Sequence, residues 1–286
     1  MAMEIPSKRT PLRSLTISLT DVSRIFERLL AIVQEEGDRV LGKWTQLEEQ
    51  TESEFEKNKE EVKSKAFRIT VTIAGADGAS VMGDTVDIFR SPNLPNIISY
   101  IYMTNVTAYQ ALANVKPDNS FELMLDFSKP ALLDANNPTS APTANQSILT
   151  LSGSTDSWIG SISEAVMGVL KDRKTRRNWI HREFIYDAGL FLIALPVGIY
   201  ACWRSSGIIE DILGSIHPFI SAIAYIYIVF LTLYAYRFLF GYTRWAFPTV
   251  ELSESENAAQ THRAVWYLII VSVVVAVASQ TILNLM

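Results

Sequence analysis

The densest chemistry in this chain is cationic. Lys171, Arg173, Lys174, Arg176, Arg177 and Arg182 fall within twelve positions, with Trp179 among them. A cation beside an anionic leaflet is attracted by roughly 1 kcal/mol, and an indole settles at the headgroup level. The sequence turns apolar directly after the cluster, so these six side chains are expected to meet membrane lipid at an anionic inner leaflet. Nucleic acid would offer the same charge complement. The acids around the cluster and its place beside the apolar spans argue against it, and no nucleic-acid partner is expected.

A second constellation, Ser152, Gly153, Ser154, Thr155 and Ser157, joins an alternating apolar run to a helical stripe. Unpaired N–H groups at a helix N-terminus suit an anion. The loop lacks the lysine and the glycine spacing of a phosphate loop, and Asp156 would repel phosphate, so helix capping competes with ligand binding there. A third set, Tyr225, Tyr227 and Tyr234, lies within an apolar segment. A phenol hydroxyl in hydrocarbon needs a partner or water, which points to helix packing or a wet lumen. Ser272 and Ser279, with Ala276 between them, form a small-residue stripe that lets helices approach closely.

Catalytic patterns are missing from the sequence. His181, His217 and His262 are too far apart for a metal motif, and Cys202 is the one cysteine. No GxSxG, HExxH or GxxxxGK[ST] occurs, and Asp77, Asp84 and Asp87 do not follow calcium-loop spacing. No metal and no cofactor is expected, and an enzyme is the least favoured reading.

These residues must be positioned by two kinds of element. The first is membranous. A span needs about 20 apolar residues, and three stretches qualify, at about 184–203, 219–240 and 264–286. Pro196 is expected to kink the first. The Lys/Arg bias of short flanking loops sets orientation. The basic cluster precedes the first span, Arg204 with Glu210 and Asp211 follows it, and Arg237, Arg244 and Arg263 flank the second connection. The N-terminal region is therefore expected in the cytoplasm and the C-terminus at the outer face. Met1–Arg13 has no apolar run, so no secretory leader is read there.

The second kind is globular. Residues 1–11 read as disordered and 12–170 as one cytoplasmic domain, with 171–183 a basic juxtamembrane helix continuing towards the spans. Leu15–Leu19 alternates as a strand, and Thr20-Asp21 is placed to cap a helix that Gly37 interrupts. Residues 48–65 form a charged, solvated helix. Residues 67–73, 86–89, 97–103, 121–127 and 148–151 read as strands, 108–113 as strand or helix, and 129–147 as a long polar loop. The fold class is an α+β cytoplasmic domain, a mostly antiparallel sheet with flanking helices, followed by a three-helix transmembrane region. The function expected is a membrane-anchored, non-enzymatic binding, scaffold or sensor protein, a homo-oligomer or a subunit of a membrane complex. A ligand-gated oligomeric pore or membrane-perturbing effector is the alternative.

Overall fold

In the computed structural model, which describes residues 6–46, 48, 50–130, 141–213, 217–254, 261–268, 271, 272 and 275, the chain divides into two compact units. One comprises Met1–Ser128, Asn145–Thr175 and Val250–Glu256, the other Lys129–Ala144, Arg176–Thr249 and Asn257–Met286.

The first unit is α+β. Strands β1 (Ser7–Pro11), β3 (Thr70–Gly75), β4 (Ser80–Gly83), β5 (Ile98–Thr104), β6 (Ser120–Asp126) and β7 (Ile148–Ser152) form an antiparallel sheet in the order β1-β7-β6-β5-β3-β4. Alternation in each strand sends every second side chain to the same face. The register then aligns them, so that Val71, Met103, Leu123 and Leu149 stand in one row and Ile73, Ile101 and Leu125 in the next. All seven are fully buried. The helices α1 (Leu19–Leu41) and α4 (Asp156–Leu170) cover that face with Val22, Ile25, Phe26, Leu29 and Ile162, Val166, Leu170, in one continuous core. A separate two-stranded sheet pairs β2 (Leu15–Ile17) in parallel with β8 (Val250–Leu252).

Several local expectations are corrected. Ser7–Pro11, within the stretch read as disordered, is an edge strand on β7, where the missing N–H of Pro11 is tolerated. The helix α1 is capped by Ser18, whose hydroxyl accepts from Asp21 N while Asp21 reaches back, one residue pair earlier than the Thr20-Asp21 cap suggested. Gly37 does not interrupt α1. A Cβ there would lie 2.8 Å from the Phe67 ring, so the glycine admits a neighbouring side chain and the helix runs through. Residues Val86–Arg90 form a 3-10 turn instead of a strand, and Val106–Ala113 is helix α3. The charged segment is helix α2 (Glu52–Ala66), closed at its start by the Thr51–Glu54 capping box.

The second unit contains the apolar helices. Helix α5 (Glu183–Gly189), a π-helical turn (Leu190–Ala194) and α6 (Leu195–Leu213) run as one helix of 31 residues, and α7 (Pro218–Ala246) has 29. Both are long and apolar enough to cross a membrane. Among the described residues there are two such helices, not three. Residues 261–268 are helical, but most of the third expected span, 264–286, lies outside the described residues. Pro196 lies at the start of α6 directly after the π turn, where its missing N–H removes one bond from the helical ladder.

Candidate functional site at the membrane-proximal segments

Helix α4 stops at Leu170, and the basic cluster does not continue it. Lys171–Arg173 is one 3-10 turn, Lys174 is extended, and Arg177–His181 is a second 3-10 turn. The expectation of a single juxtamembrane helix over 171–183 is therefore corrected. Arg173 is turned inward, its Nε 2.9 Å from Asp21 Oδ2 and its Nη2 2.9 Å from Asp21 Oδ1. The Asp21 side chain is 3% exposed. It also accepts from Ser18 N at 3.1 Å and Ser18 Oγ at 2.8 Å. Burial raises the Asp21 carboxyl, but the hydrogen bonds from Arg173 and Ser18 outweigh it and hold the group below the usual carboxylate range.

The clamp sits beside β2, and that strand holds two separated pieces of chain. Leu15 makes an antiparallel bridge to Lys174, and Thr175 N donates to Ser14 O at 2.6 Å. On the same short strand, Leu15, Thr16 and Ile17 pair with Val250, Glu251 and Leu252. Ser253 N donates to Ile17 O at 2.8 Å, and Leu19 N to Glu254 Oε1 at 3.0 Å. The chain thus leaves the first unit and returns to it along one strand. Ser14, at φ 59°, adopts the left-handed conformation just before that strand.

In the second unit a buried guanidinium organises the residues before the first long helix. Arg244 is 5% exposed. It donates to the carbonyls of Ile180 (3.3 Å), Ala141 (2.8 Å) and Arg182 (3.4 Å) and lies over the Phe240 ring. Beside it His181, 5% exposed, places Nε2 2.7 Å from Phe247 O and Nδ1 2.8 Å from Thr143 Oγ1. A carbonyl only accepts, so Nε2 carries the proton and Nδ1 accepts from the threonine hydroxyl. Burial depresses the imidazole to about 4. The Phe247 carbonyl opposes this, and the charges of Arg244 and Arg177 add to the depression.

The two long helices touch through small residues. A Cβ on Gly189 would fall 2.0 Å from Tyr236 Oη, and that hydroxyl donates to Tyr186 O at 3.0 Å. Gly198 lies against Val229 and Thr232, and Cys202 Sγ donates to Tyr225 O at 3.4 Å. The outer faces remain apolar and exposed, as at Leu192, Trp203, Phe219 and Phe230.

The candidate residues therefore separate. Arg173 belongs to the clamp, Lys174 to the β2 bridge, and Lys171, Arg176 and Arg182 are exposed, with Arg177 half-buried. Ser152 is the last residue of β7, and Gly153–Thr155 lead into α4. The loop's amide at Ser154 is taken by Asn119 Oδ1 at 2.9 Å, and a Cβ on Gly153 would meet Trp158 and Asn119. Protein groups thus occupy part of the space an anion would use, and Ser157 lies in the first turn of the helix. Tyr227 and Tyr234 are 65% and 59% exposed and Tyr225 is half-buried. Ser272 is exposed and donates to Leu268 O, while Ser279 lies outside the described residues. His217 caps α7 by accepting from Phe219 N, and His262 Nδ1 is 2.8 Å from Tyr242 Oη. Among the described residues no group of three or more His, Cys, Asp or Glu could hold a metal ion.

Sequence reasoning missed the contacts of Asp21 and Glu254 in the first unit and of His181 and Arg244 in the second. Asp21 carried a signal, a carboxylate three residues after a serine at a helix start, but nothing in the sequence links it to Arg173. A further feature is visible only through register. Met82, Thr72, Tyr102, Met124, Ile148 and Pro11 form a row across all six strands, on the face opposite α1 and α4. Met82 is 68% exposed and Tyr102, Met124 and Ile148 are half-buried. Comparison of the chain with protein-family models, with curated proteins and with solved structures finds no match.

Proposed function

We propose that this protein is a membrane-anchored binding or scaffold module with a sensor's architecture. Its α+β domain presents a partner- or ligand-binding face at the inner leaflet, and its apolar helices anchor and assemble it. The observation that carries this reading is the double use of β2. The segment that leads to the two apolar helices is pinned at Ser14 and Leu15, and the segment that returns from them pairs with Leu15, Thr16 and Ile17. Such a hairpin puts both of its ends on the domain's side of the bilayer. The basic residues before the first helix, Arg244 in the last turn of α7 and Arg263 after it favour the cytoplasm for that side.

The sheet face opposite the helices, with Met82 exposed and Tyr102, Met124 and Ile148 half-buried in one row, is the binding face this reading assigns. The pore alternative rests on one observation, the outward-facing hydroxyl-bearing rings of Tyr227 and Tyr234 on α7. Reconstitution in vesicles loaded with a self-quenching dye tests the two readings. The anchor predicts retention of the dye. Leakage that Tyr227→Phe and Tyr234→Phe together abolish would instead establish the wet lumen. Native mass spectrometry from nanodiscs then reports whether the anchored unit is a homo-oligomer or is held to a different protein.

A further inference from the structure

The basic cluster reads in sequence as six equivalent cations, but the structure divides them. Arg173 is spent on Asp21, and Lys174 lies in the bridge to Leu15. After the extended link, the chain makes a 3-10 turn at Arg177–His181, which Arg182 N closes by donating to Trp179 O at 3.3 Å. Trp179 lies inside this turn, and Arg176 and Arg182 flank it as its N-cap and C-cap, three positions to either side; together they are the outward ridge of the segment. Arg176 and Arg182 are exposed and Trp179 is 55% exposed. The neighbouring positions face inward: Ile180 is 9% exposed and His181 5%, and both are held in place by the Arg244 and Phe247 contacts. Directly after the ridge the apolar helix begins at Glu183, with Phe184 74% exposed.

We infer that Arg176, Trp179 and Arg182 form a built headgroup clip, in which the two guanidinium groups hold the phosphates of anionic phospholipid and the indole lies between them at the acyl boundary. The inference rests on the membrane-anchor reading above and narrows it to three side chains. The chemistry fits. Guanidinium binds phosphate oxygens through a two-pronged donor fork, and an indole has an apolar body with one N–H for the wet side. The buried His181 contacts and the Arg244 bonds to the Ile180 and Arg182 carbonyls hold the backbone of the turn, so binding has only the exposed side chains left to order. Glu183, exposed beside Arg182, is the nearest acid in sequence and reduces the net charge of the clip.

Bromine on lipid acyl chains quenches tryptophan by contact and so reads both place and preference. The full chain is reconstituted in vesicles of phosphatidylcholine and phosphatidylglycerol, with bromine on one lipid or the other. The Trp179 signal is taken as the difference from Trp179→Phe, because the chain has six tryptophans. The expected result is stronger quenching of Trp179 by brominated phosphatidylglycerol, a preference of roughly fivefold for each cation. Arg176→Gln with Arg182→Gln should bring it to about one, while Arg176→Lys with Arg182→Lys keeps a reduced preference and controls for folding. Equal quenching by both lipids, or a preference that survives the glutamine pair, overturns the clip. Quenching of Trp203 on α6 without quenching of Trp179 also overturns it while leaving the anchor intact. If neither residue is quenched, the anchor reading fails as well.

Discussion

Replacing Arg173 by glutamine should loosen the exit from the domain while leaving the sheet intact. The substitution deletes two charge-assisted bonds, each at 2.9 Å, to a carboxylate that is 3% exposed. Hydrogen bonds to charged groups contribute about 1.5–3 kcal/mol. The arginine is 45% exposed, so solvent screening places the loss at the low end, about 2 kcal/mol. Asp21 keeps its two bonds from Ser18, so the α1 cap survives. The loss therefore falls on the Lys171–Thr175 segment and its β2 partner. Local opening free energy sets amide exchange, and about 1.4 kcal/mol is a factor of ten. Thr175 N–H, bonded to Ser14 O, should then exchange roughly thirtyfold faster in Arg173→Gln, measured by hydrogen–deuterium exchange of the full chain in nanodiscs. Amides of β5 and β6 should be unchanged. Exchange at Thr175 within threefold of wild type would refute the clamp, and equal acceleration across the sheet would show a global effect instead.

Other perturbations test other parts of the account. His181 is neutral and buried, and its folded value of about 4 lies below the ordinary 6.5. The unfolded chain therefore binds the proton first. Stability should be unaffected by this group above pH 6.5, fall through the window between 6.5 and about 4, and lose about 3 kcal/mol in all. Denaturation of His181→Gln should show a flatter acid limb in that window. Gly37→Ala would gain helix propensity of about 1 kcal/mol but press a methyl onto the Phe67 ring at 2.8 Å, a cost of about 1–3 kcal/mol. A lowered melting temperature is expected, and Gly37→Ala with Phe67→Leu should recover part of it. Gly189→Ala should displace Tyr236 and break its bond to Tyr186 O, lowering the detergent melting temperature more than Tyr236→Phe does.

The sheet and its core were legible because period-two alternation in residues 97–103 and 121–127 survives in the register, while the strand read at 67–73 begins at Thr70, after Phe67 closes α2. The apolar helices were legible from length and composition. What escaped depends on contacts distant in sequence. Residues 7–11 are polar and could not announce that β7 needed an edge partner. Val250–Leu252 is three residues long, too short for any periodic signal, yet it completes the β2 sheet. The basic cluster looked helical because Lys and Arg are good helix formers. In the fold α4 ends at Leu170, and Arg173 pairs with Asp21, 152 residues away in sequence. Of the candidate site residues, Lys171, Arg176 and Arg182 are exposed, whereas the Ser152–Ser157 loop is partly filled by Asn119 and Trp158.

The central claim is a hairpin whose two ends lie on the domain's side of a bilayer. Sided labelling of single cysteines tests it most directly, in a Cys202→Ser background and in sealed, right-side-out vesicles. Ser80→Cys on the sheet edge, Ser253→Cys after β8 and Glu210→Cys near the end of α6 are all at exposed positions. The account predicts that an impermeant maleimide labels Glu210→Cys at once, and Ser80→Cys and Ser253→Cys only after the membrane is opened. Immediate labelling of Ser253→Cys but not Ser80→Cys, or of all three without opening, would contradict it.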